Sequence, residues 1–172
     1  MLTKEVGTIR QILEKSGYKV VIATGDGKVI KTDSIQLTPD VKLANVKISD
    51  YDGFIFPCMS SDTIEPGVVA FVKNVVAKNK PIAAQLGSVL ILAEAGSLQG
   101  KKFAFMDQKD ENAGMYPVLK GGIFSGTGIV KDGNIITSGT CSMAAKIWGL
   151  EDGTPGLTNA LIDAMKIIGK GK

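Results

Sequence analysis

Histidine is absent from all 172 residues. Proton transfer near neutral pH therefore loses its commonest side chain, and every Ser-His or Cys-His arrangement is excluded. Cysteine occurs only at Cys58 and Cys141. Two cysteines cannot staple a disulfide scaffold, neither lies in a C-x-x-C pair, and without histidine a zinc site has no ligand set. No metal and no cofactor are expected. Charge of one sign is also scarce: 20 basic against 17 acidic residues leave a net +3. The lysines are scattered, apart from Lys166, Lys170 and Lys172 in the tail. They read as a solvated face and not as a nucleic-acid footprint, which would cluster and interleave with aromatics. No stretch approaches the roughly 18 continuous apolar residues of a membrane helix. No signal peptide is visible either.

What is present suits a single domain over 1–172. Apolar residues make up 44% of the chain. A domain of this length buries roughly 70% of the surface its unfolded chain exposes, so it needs no staple to fold. Val6, Ile9, Ile12 and Leu13 form a helical stripe that stops at Gly17. Tyr18 to Ala23 reads as a strand, and Val29 to Lys31 as a short one. Gly53 to Pro57 is another short apolar strand. Pro66 and Gly67 open a helix with Val68, Val72, Val75 and Val76 inward. Pro81 to Gln85 is a strand, followed by a helix over 88–95 that Ser88 caps and Gly96 closes. Lys102 to Met106 is a further strand, and 107–121 an exposed loop or small helix. Ile123 to Val130 and Asn134 to Thr137 flank Asp132-Gly133, a hairpin turn. Ser142 to Leu150 is helical. Thr154 and Pro155 start a last helix whose stripe is Leu157, Leu161, Met165 and Ile168.

Short apolar strands alternating with amphipathic helices predict a mostly parallel sheet covered on both faces. Ligands in such sheets gather at the carboxyl ends of the strands. Three ends can be named: Pro57-Cys58-Met59, Gln85-Leu86-Gly87, and Ser138 to Cys141.

The segment Lys80 to Gly96 also resembles a motif of the ThiJ/PfpI superfamily, K-P-V-A-A-I-C-H-G-x-x-x-L-A-x-A-G. Three more stretches are similar to that family in the same order. Leu13 to Ala23 resembles L-x-x-A-G-x-x-V-x-x-A, Tyr51 to Met59 resembles Y-D-x-x-x-x-P-G-G, and Val130 to Ser138 resembles V-x-D-G-N-x-I-T-S. The resemblance implies a class I glutamine amidotransferase-like domain of the intracellular protease and amidase type. Its fold would be a flavodoxin-like three-layer α/β/α sandwich with a C-terminal β-hairpin plus helix, and its usual state a dimer.

The departures are as informative. The family's nucleophilic Cys sits on a sharp turn, where this chain has Leu86. Gly87 stands at the family's His and Cys58-Met59 at its Gly-Gly pair. Glu5 falls at the family's helix-borne Glu. The resemblance therefore implies a non-catalytic domain that binds a small molecule or serves an oligomeric interaction. The alternative is a hydrolase, amidase or deglycase with Cys58 or Cys141 as a relocated nucleophile. Pocket candidates are Glu5, Cys58, Met59, Gln85, Leu86, Gly87 and Cys141. A Cys58–Cys141 disulfide would need Cα atoms about 5.5 Å apart. The family's first strand has no counterpart before Glu5, so a gap is expected beside 18–23 or 53–57. A second copy could fill it, with Val29 to Lys31 or Ile35 to Leu37 as donor. A cytoplasmic location is expected, with a secreted or periplasmic one left open by the abrupt N-terminus.

Overall fold

The computed structural model describes residues 2–32, 35–59, 64–106 and 116–169. The first helix, α1 (Leu2–Lys15), buries Ile9 and Leu13. It closes as its residues dictate. Gly17 takes φ +85, and the Tyr18 N–H returns to the Leu13 carbonyl at 3.0 Å.

The expected strand from Tyr18 to Ala23 shrinks to β1 (Ala23–Thr24). A strand needs a neighbour, and among the described residues 18–22 have none. Tyr18 is tied back to α1, and Ile22 is held by the Asp40 carboxylate and backbone, before β1 pairs with β4 (Val41–Lys42). In between, β2 (Ile30–Thr32) and β3 (Ile35–Leu37) pair antiparallel with each other. The two segments expected to be lent to a second chain are thus already partnered.

The central sheet begins with β5 (Phe54–Phe56). The helix α2 (Pro66–Ala77) follows, with Pro at its first turn and Val72 and Val75 fully buried. Next come β6 (Ile82–Gln85), a 3-10 turn over Leu86–Ser88, and α3 (Val89–Glu94). The strand expected from Lys102 to Met106 is reduced to β7 (Lys102–Phe103), parallel to β8 (Ile123–Phe124). Of the segment 107–121, residues 107–115 lie outside the described residues, and Pro117–Leu119 forms a 3-10 turn. The hairpin forms as β9 (Ile129–Asp132) and β10 (Ile135–Ser138), turning at Gly133 with φ +64. Ile123 and Phe124 do not join it. Two helices end the chain, α4 (Ser142–Trp148) and α5 (Gly153–Gly169).

The sheet order is β5-β6-β10-β9, with the first three parallel and β9 antiparallel at the edge. Period-two alternation divides its side chains between two cores. Ile82, Ala84 and Ile135 pack toward α2 and α3 with Val72, Val75, Leu92 and Phe105. Ala83 and Ile136 pack toward α1 and α5 with Ile9, Leu13, Leu157 and Leu161. The result is the three-layer α/β/α sandwich.

The sheet does not run on from β5 to β1. A groove of about 500 Å³ separates them, lined on one side by Tyr18, Val20 and Val21 and on the other by Phe54, Ile55 and Phe56. This is the expected gap, and it explains why 18–22 is not a strand.

Two predicted helix caps are corrected. Asp152, not Thr154, caps α5: its Oδ1 accepts from the Thr154 N–H at 3.0 Å and the Thr154 hydroxyl at 2.7 Å. Ser88 already has helical dihedrals and caps nothing; its hydroxyl donates to the Pro57 carbonyl. Met165 is buried as expected, whereas the Ile168 side chain lies outside the described residues.

Candidate functional site

The site lies where β5, β6 and β10 run out side by side. After β6 the backbone turns at Leu86, whose φ of +43 is in the left-handed region. Leucine holds that conformation at a cost of roughly 1–2 kcal/mol, which its surroundings must offset. Two features hold the turn. The bond from Ser88 to Pro57 ties it to the exit of β5. Gly87 then lets the Met59 backbone carbonyl lie where any side chain would begin.

Leu86 is buried in one small cluster with Cys58, Cys141 and Ala144, and Met106 packs against it. Glu5 comes to the same place from α1 and is 1% exposed. Its Oε1 accepts from the Ser142 hydroxyl at 3.2 Å, while its Oε2 has no hydrogen-bond partner among the described residues. Burial, with the Cys141 thiolate as neighbour, pushes the Glu5 carboxyl up to about 7.

The two thiols are neighbours in this cluster, and both are free. They divide one proton unequally. The neighbouring Cys58 thiol pulls the Cys141 thiol down to about 6, and the backbone N–H groups of Ala144 and Met143 add to this; the Cys58 Sγ itself lies 3.7 Å from the Met59 carbonyl. The neighbouring Cys141, with burial, in turn pushes the Cys58 thiol up.

A pocket of about 660 Å³ opens on the other side of Leu86. Cys58, Met59, Leu86 and Gly87 form one wall, Phe105, Met106 and Tyr116 another, and Ile147 and Trp148 part of the rim. Glu5, Gln85 and Cys141 do not reach it. Gln85 turns away altogether, its Nε2 donating to the Thr140 carbonyl at 3.0 Å and the Thr154 hydroxyl at 2.8 Å. The candidate residues thus divide into a pocket wall, a buried carboxylate–thiol cluster behind it, and a structural strut.

Sequence reasoning missed Ser142, Tyr116 and Trp148. Ser142 could have been found, because it follows Cys141 at a named strand end. The aromatics sit on segments with no strand-end signal.

The model of the DJ-1/PfpI family matches residues 3–147. An uncharacterised protein of Archaeoglobus fulgidus is 27% identical over 131 residues, 73% of this chain and 75% of its own. An uncharacterised protein of Methanocaldococcus jannaschii is 29% identical over 153 residues, 81% of this chain and 69% of its own. Among solved structures, a ThiJ/PfpI domain protein from Brachyspira murdochii superposes with a TM-score of 0.74 at 17% identity, covering 95% of this chain and 89% of that one. The chain belongs to the DJ-1/PfpI family.

Proposed function

We propose that this domain binds a small, largely apolar molecule in the pocket beside Leu86 and does not run elbow-thiol chemistry. The observation that carries the reading is a buried leucine on the elbow, bordering a pocket of about 660 Å³. A leucine can neither attack a carbonyl nor carry a proton, and it makes the wall more apolar. The relocated-nucleophile reading, a hydrolase, amidase or deglycase, needs one thiol both ionised and within reach of substrate. Cys58 borders the pocket, but its thiol is pushed up. Cys141 is pulled down, but it is fully buried and off the wall.

Trp148 is the only tryptophan in the chain and stands on the pocket rim, so it supplies the readout. Anilinonaphthalene sulfonate should shift Trp148 emission saturably. Ile147, 65% exposed on that rim, tolerates change without loss of fold. Ile147→Asp should weaken dye binding about tenfold, or ~1.4 kcal/mol, with an unchanged urea midpoint. Protease, amidase and glyoxalase assays should stay at background. Absence of saturation, or robust turnover, refutes the reading.

The groove between β1 and β5 supports a second proposal: the chain works as a homodimer whose partner copy covers that groove. Buried unpaired backbone groups along β5 would cost about 1–3 kcal/mol each. Light scattering should give about twice the chain mass of 18.1 kDa. A folded monomer at micromolar concentration rules the dimer out.

A further inference from the structure

Cys58 follows β5 and Cys141 follows β10, strands that flank β6 on its two sides. Far apart in the chain, the two residues meet over Leu86 in one cluster, thiol against thiol. Neither has a part in the binding function proposed above beyond the wall that Cys58 supplies. They are the only cysteines, and both are free. The arrangement is asymmetric in access: Cys58 borders the pocket, and Cys141 lies behind it.

We propose that Cys58 and Cys141 are a thiol–disulfide exchange pair that reduces low-molecular-weight disulfides entering the pocket. Cys58, protonated at rest, is the attacking sulfur; Cys141, ionised behind it, is first its base and then the resolving sulfur. Attack on a disulfide expels a thiolate directly and needs none of the oxyanion stabilisation that ester or amide cleavage requires. In the first step Cys58 Sγ bonds to one sulfur of the incoming R–S–S–R, whose S–S bond breaks. The Cys58 proton passes to the Cys141 sulfur, and the departing RS⁻ takes a proton from water. In the second step Cys141 loses that proton to solvent and attacks Cys58 Sγ. The bond between Cys58 and SR breaks, and the second RS⁻ leaves and is protonated. Two protein thiols and one small disulfide become one protein disulfide and two small thiols. The two electrons come from the protein sulfurs.

The local chemistry fits these roles. The resolving sulfur must ionise where solvent is excluded, and the backbone N–H groups of Ala144 and Met143, which remain in place once Cys58 is in the mixed disulfide, stabilise its charge. Buried beside it, Glu5 is pushed up to about 7, so its carboxyl carries less competing charge at neutral pH than an ordinary glutamate. The pocket is mainly apolar, which favours uncharged substituents on the disulfide. This inference shares the pocket with the binding proposal without depending on it. Dye titration and thiol titration can fail separately.

The test equilibrates the full chain with mercaptoethanol and its disulfide, hydroxyethyl disulfide, at a series of ratios. Samples are quenched with N-ethylmaleimide, denatured and weighed. The parent should pass from two maleimides per chain to none, lighter by two hydrogen atoms, with no lasting hydroxyethyl adduct. Cys141→Ser should trap one adduct on Cys58. Cys58→Ser should react at least about tenfold more slowly than Cys141→Ser, because its remaining thiol has no access. The oxidised parent should also melt at a higher temperature than the reduced one, since the bond constrains the unfolded chain. Two maleimides at every ratio, or a parent that stops at the mixed disulfide, overturns the proposal. That measurement needs no variant to fold. Equal rates for the two serine variants overturn the assignment of roles.

Discussion

Glu5→Gln should be more stable than the parent at pH 8 by roughly 3 kcal/mol and indistinguishable from it near pH 4. The sign follows from the shift. Glu5 is a carboxyl whose folded value, about 7, lies above its ordinary 4.5. The fold therefore prefers the protonated form. Its stabilising contribution is whole below pH 4.5 and is lost as pH rises to about 7. A glutamine has no proton to lose and keeps the Ser142 contact. The groups facing Glu5 titrate too. Cys141, pulled down from 9.0 to about 6, contributes stability that is full above pH 9 and is lost as pH falls through 6. The parent's stability should thus dip near neutrality, and Glu5→Gln should remove the acidic limb alone. Urea unfolding at pH 4, 6 and 8 reads both limbs. Parallel curves for parent and variant would mean that Glu5 is not buried in this cluster.

Restoring the family's catalytic pair should fail. The Leu86→Cys, Gly87→His double variant is expected to lose roughly 2–4 kcal/mol of stability and to gain no hydrolase activity. The loss arises at Gly87. A Cβ there would drive into the backbone carbonyl of Met59, which cannot swing away as a flexible side chain would. Leu86→Cys alone should cost less, because it keeps the turn and leaves only a small void beside Met106 and Ala144. Comparing the two by denaturant unfolding, with a thioester hydrolysis assay beside them, isolates the glycine. A double variant as stable as its parent would show that the Met59 carbonyl moves freely.

Much of this arrangement was legible in the sequence. The strand-to-helix turn at Leu86, the two-faced sheet and the hairpin at Gly133 are local patterns of apolar spacing and turn residues. The meeting of Glu5, Cys58, Leu86 and Cys141 follows once the strands are parallel, because their ends must face one way. Pairing was less legible. Tyr18 to Ala23 has a strand's composition, yet strand structure is a property of two segments, and among the described residues no strand pairs with 18–22. Hydrogen-bond choices among equals were also hidden. Asp152 and Thr154 both suit a cap, and only the geometry gives it to Asp152 and turns Thr154 toward Gln85. The division of one proton between Cys58 and Cys141 depends on a contact that no spacing encodes.

The groove beside β5 has a consequence for how the domain comes apart. Among the described residues, 18–32 and 35–42 share no strand ladder with the four-stranded sheet. Their ties to it are α1 and the contacts lining the groove. Such a unit opens at a lower free energy than β6 and β10, whose eight residues are all buried and, Gln85 apart, paired on both sides. The domain is therefore two cooperative blocks of unequal strength. The stronger block holds Cys58, Leu86 and Cys141, so the weaker one can open and close while both thiols stay in register.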